Sequence, residues 1–288
     1  MIVVTGATGQ LGSLIVQRLL ETVPAADIGV SVRDTEKADR LAQLGVQVRH
    51  GDFSERDSLA AAFRDARQVL IVSSNAGAYG GDPVAQHRNA IEAARAAGVR
   101  RIVYTSHMAA SSTSAFPPMH SHAATEAMLR DSGIAWTALR NGFYAGSASL
   151  YLGDAPSSGD LATPQDGKVC WTAHADLAAG AARILIDEGR FDGPTPPLTA
   201  PQSLDFDDVA QVLSDLSGRP VKRRIVTDGQ AEASLVARNL SPAIVAITLG
   251  FYRAARAGEF AATDPTLANL IGKEPTPLRE VLAQTGQH

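Results

Sequence analysis

The first twelve residues constrain the fold more than any other part of the chain. A short run of β-branched residues at 2–5 is followed by glycines at Gly6, Gly9 and Gly12. Apolar residues then recur at 11, 14, 15 and 19, a spacing that is typical of an amphipathic helix. A strand, a glycine-rich turn and a helix in this order form a cradle for a diphosphate, which the N–H groups and the dipole of the helix attract.

Each glycine of this motif has a separate predicted role. Gly6 permits the tight turn, Gly9 lets the backbone approach the phosphates, and Gly12 allows the helix to pack closely on the strand. The spacing G-x-x-G-x-x-G differs from the common G-x-G-x-x-G, and a glycine-rich turn without a ligand is the alternative. The strand before it and the helix after it favour the dinucleotide cradle.

The end of the second predicted strand indicates which dinucleotide is bound. The apolar run 28–32 ends at Arg33, where an NAD site usually carries an acidic residue for the ribose 2′-hydroxyl. A cation at this place accommodates a 2′-phosphate instead, and Lys37 adds a second positive charge nearby. Asp34 follows directly, and a solvated strand end is the alternative for Arg33. We interpret the pattern as an NADPH site.

Composition excludes several classes of protein. The chain has 288 residues, 45% of them hydrophobic, and a net charge of −4 without a basic tract, so no nucleic-acid partner is expected. The single cysteine, Cys170, excludes a disulfide within the chain and is expected to be a small buried residue. We see no secretory signal, and the apolar run 243–252 is too short to cross a bilayer. A cytoplasmic protein without a membrane partner is expected.

Alternating strand and helix patterns predict an α/β fold. Strand-like runs at 46–49, 69–72, 102–105 and 136–139 are not alternating in polarity, which predicts a parallel sheet covered on both faces. Right-handed crossovers then give a Rossmann-type doubly wound sheet. We expect residues 1–142 to form an NADP-binding domain to which 166–190 return. Residues 143–165 and 200–288 are expected to form a lid and a smaller, mainly helical substrate domain.

Shorter patterns refine this prediction. Residues 90–97 have a helical apolar face and Gly98 is a plausible C-cap. The proline-rich stretch 191–201 predicts a connection with one edge strand at 197–200. Helices are expected over 203–217 and over most of 231–287.

Several further segments carry a resemblance to a known family. They are the opening V-T-G-A-T-G-Q-L-G, Q-H-R-N at 86–89, Y-T-S at 104–106, T-E at 125–126, R-N-G at 140–142, D-G-K at 166–168 and L-I-G at 270–272. In this order, along nearly the whole chain, they resemble the NmrA-like atypical short-chain dehydrogenases, most closely the bacterial NADPH–quinone reductases and triphenylmethane reductases. The R-N-G and Q-H-R-N elements are fairly specific, whereas the glycine motif is widespread.

The resemblance implies which residues contact NADPH in a cleft between the two domains. These are Gly6, Ala7, Thr8, Gly9, Gln10, Leu11, Arg33, Ser73, Ser74, Asn75, Arg140, Asn141, Gly142 and Lys168. Because ligands of doubly wound sheets bind beyond the carboxyl ends of the strands, the residue pattern agrees with most of this set. Asp52 is expected either near the adenine or in a surface turn.

The chain also departs from the related enzymes. Ordinary short-chain dehydrogenases protonate the substrate oxygen through a Tyr-x-x-x-Lys pair, whereas the corresponding positions here are His122 and Glu126. Related quinone reductases carry Lys at position 127 and aromatic-Tyr-Ser-Glu-Asn at 143–147, where this chain has Ala127 and Phe-Tyr-Ala-Gly-Ser. A carboxylate cannot play the cationic role of the lysine, so Glu126→Gln is expected to have only a mild effect on activity.

A quinone does not need that pair, because it accepts a hydride readily and its anion is stabilised by delocalisation. We therefore predict an NADPH-dependent oxidoreductase that transfers a hydride to a small quinone or similar flat electrophilic aromatic, with Asn141, Tyr144 and His122 as catalytic candidates. Asn75 and Ser106 are further candidate donors. The alternatives are a backbone clamp for Asn141, packing for Tyr144 and a backbone hydrogen bond for His122.

Other functions remain open at this point. The alternative is an NADP-binding redox sensor that regulates a partner without turnover, which the absence of the proton relay favours. A sugar-nucleotide epimerase needs the Tyr-Lys pair. His107, His120 and His122 suggest zinc, but no Cys, Asp or Glu joins them at a ligand spacing, so no metal is expected. The protein is expected to be a monomer or a homodimer.

Overall fold

The computed structural model describes residues 1–285, and its centre is a seven-stranded parallel sheet. The strands of this sheet are β1 (Ile2–Thr5), β2 (Ile28–Val32), β3 (Gln47–His50), β4 (Gln68–Ile71), β5 (Arg101–His107), β6 (Ala135–Asn141) and, numbered in chain order, β10 (Gly193–Pro194). Two parallel pairs lie outside it: β7 (Phe143–Tyr144) with β9 (Trp171–Thr172), and β8 (Asp160–Pro164) with β11 (Lys222–Val226).

Helices connect the strands and fill the second half of the chain. They are α1 (Gln10–Leu20), α2 (Asp39–Gln43), α3 (Arg56–Ala62), α4 (Pro83–Ala96), α5 (Pro118–Arg130), α6 (Ser149–Leu152), α7 (Ala155–Ser158), α8 (His174–Ile186), α9 (Phe206–Ser217), α10 (Asp228–Ala237), α11 (Pro242–Arg256), α12 (Thr266–Ile271) and α13 (Leu278–Thr285). In the described part of the chain, none of them has the length and apolar character that a bilayer crossing needs.

The strand order β10-β6-β5-β4-β1-β2-β3 confirms the predicted doubly wound sheet. The order reverses between β1 and β4, and this reversal creates a crevice at the carboxyl edge of the sheet. The first six strands begin and end within two residues of the predicted bounds.

Both faces of the sheet are buried, as the non-alternating strands predict. Val4, Leu70 and Val103 belong to one apolar core together with α1 and α8, whereas Val3 and Val69 belong to a second core on the opposite face with α3 and α4. Neighbouring residues of one strand point to opposite faces, so a strand between two helical layers has to be apolar throughout.

A third core lies beyond the carboxyl edge of β6 and is rich in aromatic rings. Phe143 contacts Phe116, Trp171, Phe251 and Phe260, with ring centroids 5.0–5.7 Å apart. The contacts with Trp171 and Phe251 are edge-to-face, a geometry that adds to the stabilisation from buried apolar area. Within residues 143–285 most of the regular structure is helical, as predicted, although the strand pair β8–β11 was not expected.

The structure corrects the predicted edge strand at 197–200. The edge strand of the large sheet is β10 at Gly193–Pro194, and Leu198 makes only one bridge, to Asn141. Pro196 and Pro197 have no N–H group to donate to a ladder, which explains why pairing does not continue between these two points.

The segment 143–165, predicted as a lid, is anchored by its inner side chains. Ala145, Ala148, Leu152 and Leu161 are buried in the third core, while Leu150 is 76% exposed. The end of the predicted C-terminal helical stretch, residues 286–287, lies outside the described residues.

Candidate functional site

A cleft of about 1070 Å³ runs along the carboxyl ends of β1 to β4, where the strand order predicts a ligand. Seven of the residues predicted to bind NADPH line it, namely Gly6, Thr8, Gly9, Arg33, Ser73, Ser74 and Asn75, and Lys37, Asp52 and Tyr79 lie there too. A second depression, of about 950 Å³, lies at the opposite, amino-terminal edge of the strands. Arg67, Asp187 and Glu188 line it, but the glycine-rich turn at 6–12 does not.

The glycine turn has the geometry of an anion cradle. Gly6 has φ +60°, and a Cβ atom at Gly12 would lie 2.3 Å from the Gly6 carbonyl oxygen, so both positions require glycine. Gly9 is the N-cap of α1 in an extended conformation, and no side chain of residues 1–285 caps the helix there. With no acid in the first turn of α1, its free N–H groups suit a diphosphate.

The remaining residues of this motif divide between core and surface. Ala7 and Leu11 are 1% and 6% exposed and pack under the turn, so their side chains shape it from behind. Gln10 is exposed and lies near Gly146. A Cβ atom added at Gly146 would lie 3.8 Å from Gln10 Nε2.

Arg33 gives the cleft a free positive charge at the end of β2. Its side chain is exposed and forms no ion pair within residues 1–285, whereas Lys37 is paired with Asp34 at 3.3 Å. A guanidinium without a partner is suited to a phosphate, to which it can donate two parallel hydrogen bonds.

Three consecutive N–H groups after β4 are held by side chains from three different elements. Val72 donates to Thr5 Oγ1 at 2.9 Å, Ser73 donates to Thr105 Oγ1 at 2.8 Å, and Ser74 donates to His87 Nε2 at 2.8 Å. These N–H groups are therefore occupied. Any contact that Ser73 or Ser74 makes with a ligand has to use a hydroxyl or a carbonyl group.

The Q-H-R-N segment positions two loops of the cleft, a role that the sequence did not reveal. Gln86 Oε1 accepts from the Ser74 hydroxyl at 2.5 Å, and Asn89 donates to the Phe53 carbonyl at 2.9 Å. Because the Ser74 N–H group can only donate, His87 carries its proton on Nδ1, which donates to Thr125 Oγ1 at 2.8 Å. Burial lowers the pKa of His87 to about 4, so the ring is neutral at pH 7.

Asp52 lies in the cleft and forms the predicted turn, while its place near the adenine stays a prediction. It lines the cleft, and its carboxylate accepts from the Ser54 N–H group at 2.7 Å, which is an Asx-turn.

A second group of polar residues lies at the ends of β5 and β6. His107 and Asn141 are register partners on these strands, and Tyr144 follows on β7. Asn141 is 2% exposed, and its Oδ1 atom has no hydrogen-bond partner in the described part of the chain. Burial raises the pKa of Tyr144, a shift that a hydrogen bond with Asn141 opposes, so the phenol stays protonated. The centroids of the Tyr144 and His174 rings lie 4.4 Å apart.

His122 bonds to a side chain and not to the backbone, contrary to the alternative raised by the sequence. Its Nδ1 atom lies 2.8 Å from the Tyr104 hydroxyl. Burial, followed by the proximity of His107 and His87, holds the pKa of His122 well below its usual value. The ring is therefore neutral at pH 7 and carries one N–H donor. Tyr104 was missed as a partner, although the Y-T-S segment contained it.

Glu126 has structural contacts that the sequence did not reveal. Its side chain is 4% exposed, accepts from the Ser106 hydroxyl at 2.6 Å and pairs with Arg140 at 2.7 Å. Arg140 brings a positive charge next to Glu126, the position that a lysine occupies in ordinary short-chain dehydrogenases. Ser106 and Arg140 were both among the candidate ligand contacts, and both side chains bond to this carboxylate.

Two other predicted cofactor residues lie apart from the cleft lining. The Lys168 ammonium pairs with Asp205 and Asp208 at 2.8 and 2.5 Å, at the amino end of α9, and these hydrogen bonds raise its pKa. A Cβ atom at Gly142 would lie 2.3 Å from Thr172 Oγ1, where the chain crosses from β6 to β7.

The histidines and the cysteine show no metal-binding arrangement. Within residues 1–285 no group of three or more His, Cys, Asp or Glu side chains is placed to hold a metal ion. Cys170 is buried, and burial raises the pKa of its thiol to about 11.

Comparison with known proteins identifies the family. Residues 1–279 match the NmrA-like family. The chain belongs to the NmrA-like family. Its NmrA-like relatives include quinone oxidoreductase 2 of Escherichia coli K12, which is 35% identical over 97% of this chain and 96% of the relative. An NAD(P)H azoreductase of Xenophilus azovorans is 29% identical over 95% and 93% of the two chains.

Solved structures of NmrA-like proteins agree with this relation. The NADPH-dependent quinone oxidoreductase of Escherichia coli in complex with NADPH superposes with a TM-score of 0.91, at 35% identity and over 100% of both chains. The Citrobacter triphenylmethane reductase with NADP(H) has a TM-score of 0.87, at 37% identity over 99% of both chains. The resemblance inferred from the sequence is confirmed.

Proposed function

We propose that this protein is an NADPH-dependent reductase that transfers a hydride to a quinone or a similar flat, electrophilic aromatic molecule. The observation that carries the proposal is the unpaired Arg33 guanidinium in the same cleft as the uncapped amino end of α1. The first suits a 2′-phosphate and the second suits a diphosphate. Similarity to a quinone oxidoreductase over the whole chain supports the choice of acceptor.

The division of labour that we propose follows the predicted domains. Residues 1–142 with 166–190 bind NADPH, and residues 143–165 and 200–288 cover the acceptor as a lid and a small domain. Most of the aromatic third core and the exposed Leu150 lie in this second part, while Phe116 and Trp171 join the core from the NADPH-binding segments. We further propose a cytoplasmic monomer or homodimer that acts on a small molecule and not on nucleic acid, for which the net charge of −4 and the single cysteine are supporting features.

The net reaction joins NADPH, the quinone and one proton to give NADP⁺ and the hydroquinone. NADPH supplies the hydride when it is bound, and the residues of the chain bind, orient and exclude water. We propose that Asn141 and Tyr144 position the reacting rings at the ends of β6 and β7. His122 is neutral at pH 7, so we assign to it a hydrogen bond and not the delivery of a stored proton.

The remaining predicted contacts are part of the same proposal. We propose that Gly6, Ala7, Thr8, Gly9, Gln10 and Leu11 hold the diphosphate, with Ser73, Ser74 and Asn75 beside it. Arg140, Asn141, Gly142 and Lys168 are proposed on the side of the nicotinamide. Arg140 and Lys168 both form ion pairs, so a ligand that contacts either side chain has to compete with a carboxylate.

The test is to follow the absorbance of the reduced nicotinamide with a panel of quinones and triphenylmethane dyes. We expect turnover with NADPH and a weaker response with NADH. Calorimetric titration with NADPH in the absence of an acceptor provides the matching measurement of binding.

A redox-sensing regulator without turnover is the second candidate, and one observation favours it. The position of the usual proton-relay lysine is occupied by Glu126, whose carboxylate is engaged with Ser106 and Arg140. Tight binding of NADPH together with no turnover of any acceptor in the panel would support the regulator and overturn the reductase.

A further inference from the structure

His107 has one nitrogen with a fixed role and one without a partner. The Ala109 N–H group donates to His107 Nδ1 at 3.1 Å. A backbone N–H can only donate, so Nδ1 is unprotonated and the neutral ring carries its proton on Nε2. His107 is 9% exposed, and its Nε2 atom has no hydrogen-bond partner within residues 1–285.

An unpaired N–H group of this kind is costly. Leaving a buried donor unsatisfied destabilises the folded protein, whereas an apolar residue of similar size at this place would avoid this penalty. Phe143 and Phe260 pack against the ring edge-to-face with centroids 5.6 Å away, and the neutral His122 ring lies at 6.1 Å, so an apolar residue would also fit here. A donor held in one tautomer among aromatic rings therefore points to a ligand with an acceptor atom.

The position of His107 indicates which ligand that is. Its register partner Asn141 ends β6, and paired residues on adjacent parallel strands project to the same face of the sheet. The cleft already accounts for the ends of β1 to β4, where one half of the dinucleotide is proposed to bind. The ends of β5 and β6 are left for the nicotinamide half and the molecule that it reduces.

We infer that His107 is a catalytic residue whose Nε2–H group donates a hydrogen bond to the oxygen atom of the quinone. This inference rests on the proposed function and adds to it a donor that the sequence considered only as a zinc ligand. The hydride brings two electrons to the quinone, and negative charge collects on the oxygen. A donor aimed at that oxygen stabilises the charge as it develops.

His107 acts as a donor and not as an acid. Burial lowers its pKa to about 3, so it holds a single ring proton throughout the neutral range. The proton that completes the hydroquinone comes from solvent, and His107 keeps its own. Asn141, the register partner of His107, has an Oδ1 acceptor without a partner in residues 1–285, and we assign to it the new hydroxyl group. The Nε2–H donor of His107 suits the quinone oxygen before reduction, and the Oδ1 acceptor of Asn141 suits the hydroxyl group of the product.

The experiment compares two acceptors that differ in the atom receiving the charge. A quinone collects negative charge on oxygen, whereas a cationic triphenylmethane dye without oxygen atoms is neutralised at carbon. We expect His107→Leu to lower kcat/KM for the quinone by about 10²-fold, the usual effect of removing one such donor. The rate with the dye and the NADPH affinity from calorimetry are expected to stay within about threefold, because neither uses the lost N–H group.

Two further variants separate chemistry from packing. His107→Gln keeps an N–H donor at a similar reach and is expected to restore most of the quinone rate. Phe260→Leu disturbs the same aromatic packing without removing the donor, so any loss should be equal for both acceptors. In the infrared spectrum of a quinone bound to the NADP⁺ form, the C=O stretch should move to higher frequency in His107→Leu.

The outcomes distinguish this inference from the function on which it rests. Equal losses for quinone and dye in His107→Leu, or no loss for either, overturn the role of His107 while the reductase stands. A wild-type protein that binds NADPH but reduces neither acceptor overturns the proposed function itself.

Discussion

The Arg33 side chain extends into the cleft at the end of β2, and no carboxylate of residues 1–285 forms an ion pair with it. Arg33→Ala should therefore weaken NADPH binding by about 1.5–3 kcal/mol, the usual contribution of a hydrogen bond to a charged group. NADH binding should hardly change because it has no 2′-phosphate. Calorimetric titration of the variant with both dinucleotides checks this, and an equal loss for both would contradict the assignment.

The Glu126 carboxylate is buried in a hydrogen-bonded ion pair, a structural role that the sequence did not reveal. Glu126→Gln replaces one acceptor oxygen by a donor that faces the Arg140 guanidinium 2.7 Å away. We expect a loss of about 1–3 kcal/mol in the free energy of unfolding, measured with urea. Glu21→Gln is the control, because the exposed pair Arg18–Glu21 should contribute less than about 1 kcal/mol. Equal effects of the two substitutions would refute the structural role of Glu126.

The turn between β1 and α1 depends on its glycines to different degrees. A Cβ atom at Gly12 would lie 2.3 Å from a backbone oxygen, whereas one at Gly9 would lie 3.3 Å from the same atom. Gly12→Ala should therefore shift α1, lower the free energy of unfolding by about 1–3 kcal/mol and weaken NADPH binding. Gly9→Ala should fold normally and lose only NADPH affinity, because the added methyl group occupies the cleft.

The control for this pair lies in α10, where a Cβ atom at Gly229 would have no neighbour within 4 Å. Gly229→Ala should leave NADPH binding unchanged and stabilise the protein by a few tenths of a kcal/mol to about 1 kcal/mol. Thermal unfolding and calorimetry on the three variants make the comparison. If Gly12→Ala unfolds at the same temperature as Gly229→Ala, the close helix contact is not essential.

At the scale of the whole molecule, buried neutral histidines predict sensitivity to acid. The pKa is lowered to about 4 for His87 and to about 3 for His107, against an ordinary value near 6.5. Between these values the unfolded chain binds more protons than the folded one, so stability falls as the pH falls below about 6.5. From pH 7 to 5.5 the two residues together should cost about 2–3 kcal/mol, and His122 adds to this in the same direction.

Urea unfolding of the wild type and of His107→Leu at pH 7 and at pH 5.5 measures this effect. The variant should lose about 1 kcal/mol less than the wild type between the two values, because one of the titrating rings is absent. An identical pH dependence of the two proteins would show that His107 is protonated in the folded state.

The local part of this architecture was predictable because it depends on neighbouring residues along the chain. The strand at 2–5, the three glycines and the apolar face of α1 are consecutive, and steric limits on the backbone translate them directly into a cradle. Non-alternating strands likewise required helices on both faces. Arg33 was predicted correctly to lie in the cleft because it immediately follows its strand.

Only the tertiary structure decided which polar side chains remain available to a ligand. Arg140 and Lys168 are cations in the sequence, but their carboxylate partners lie on α5 and at the start of α9, far along the chain. In contrast, His107 and Asn141 have polar atoms that lack partners among residues 1–285, and folding places their strand ends side by side. Local sequence determines backbone conformation, whereas the pairing of charges and hydrogen bonds depends on distances in space that the order of residues does not contain.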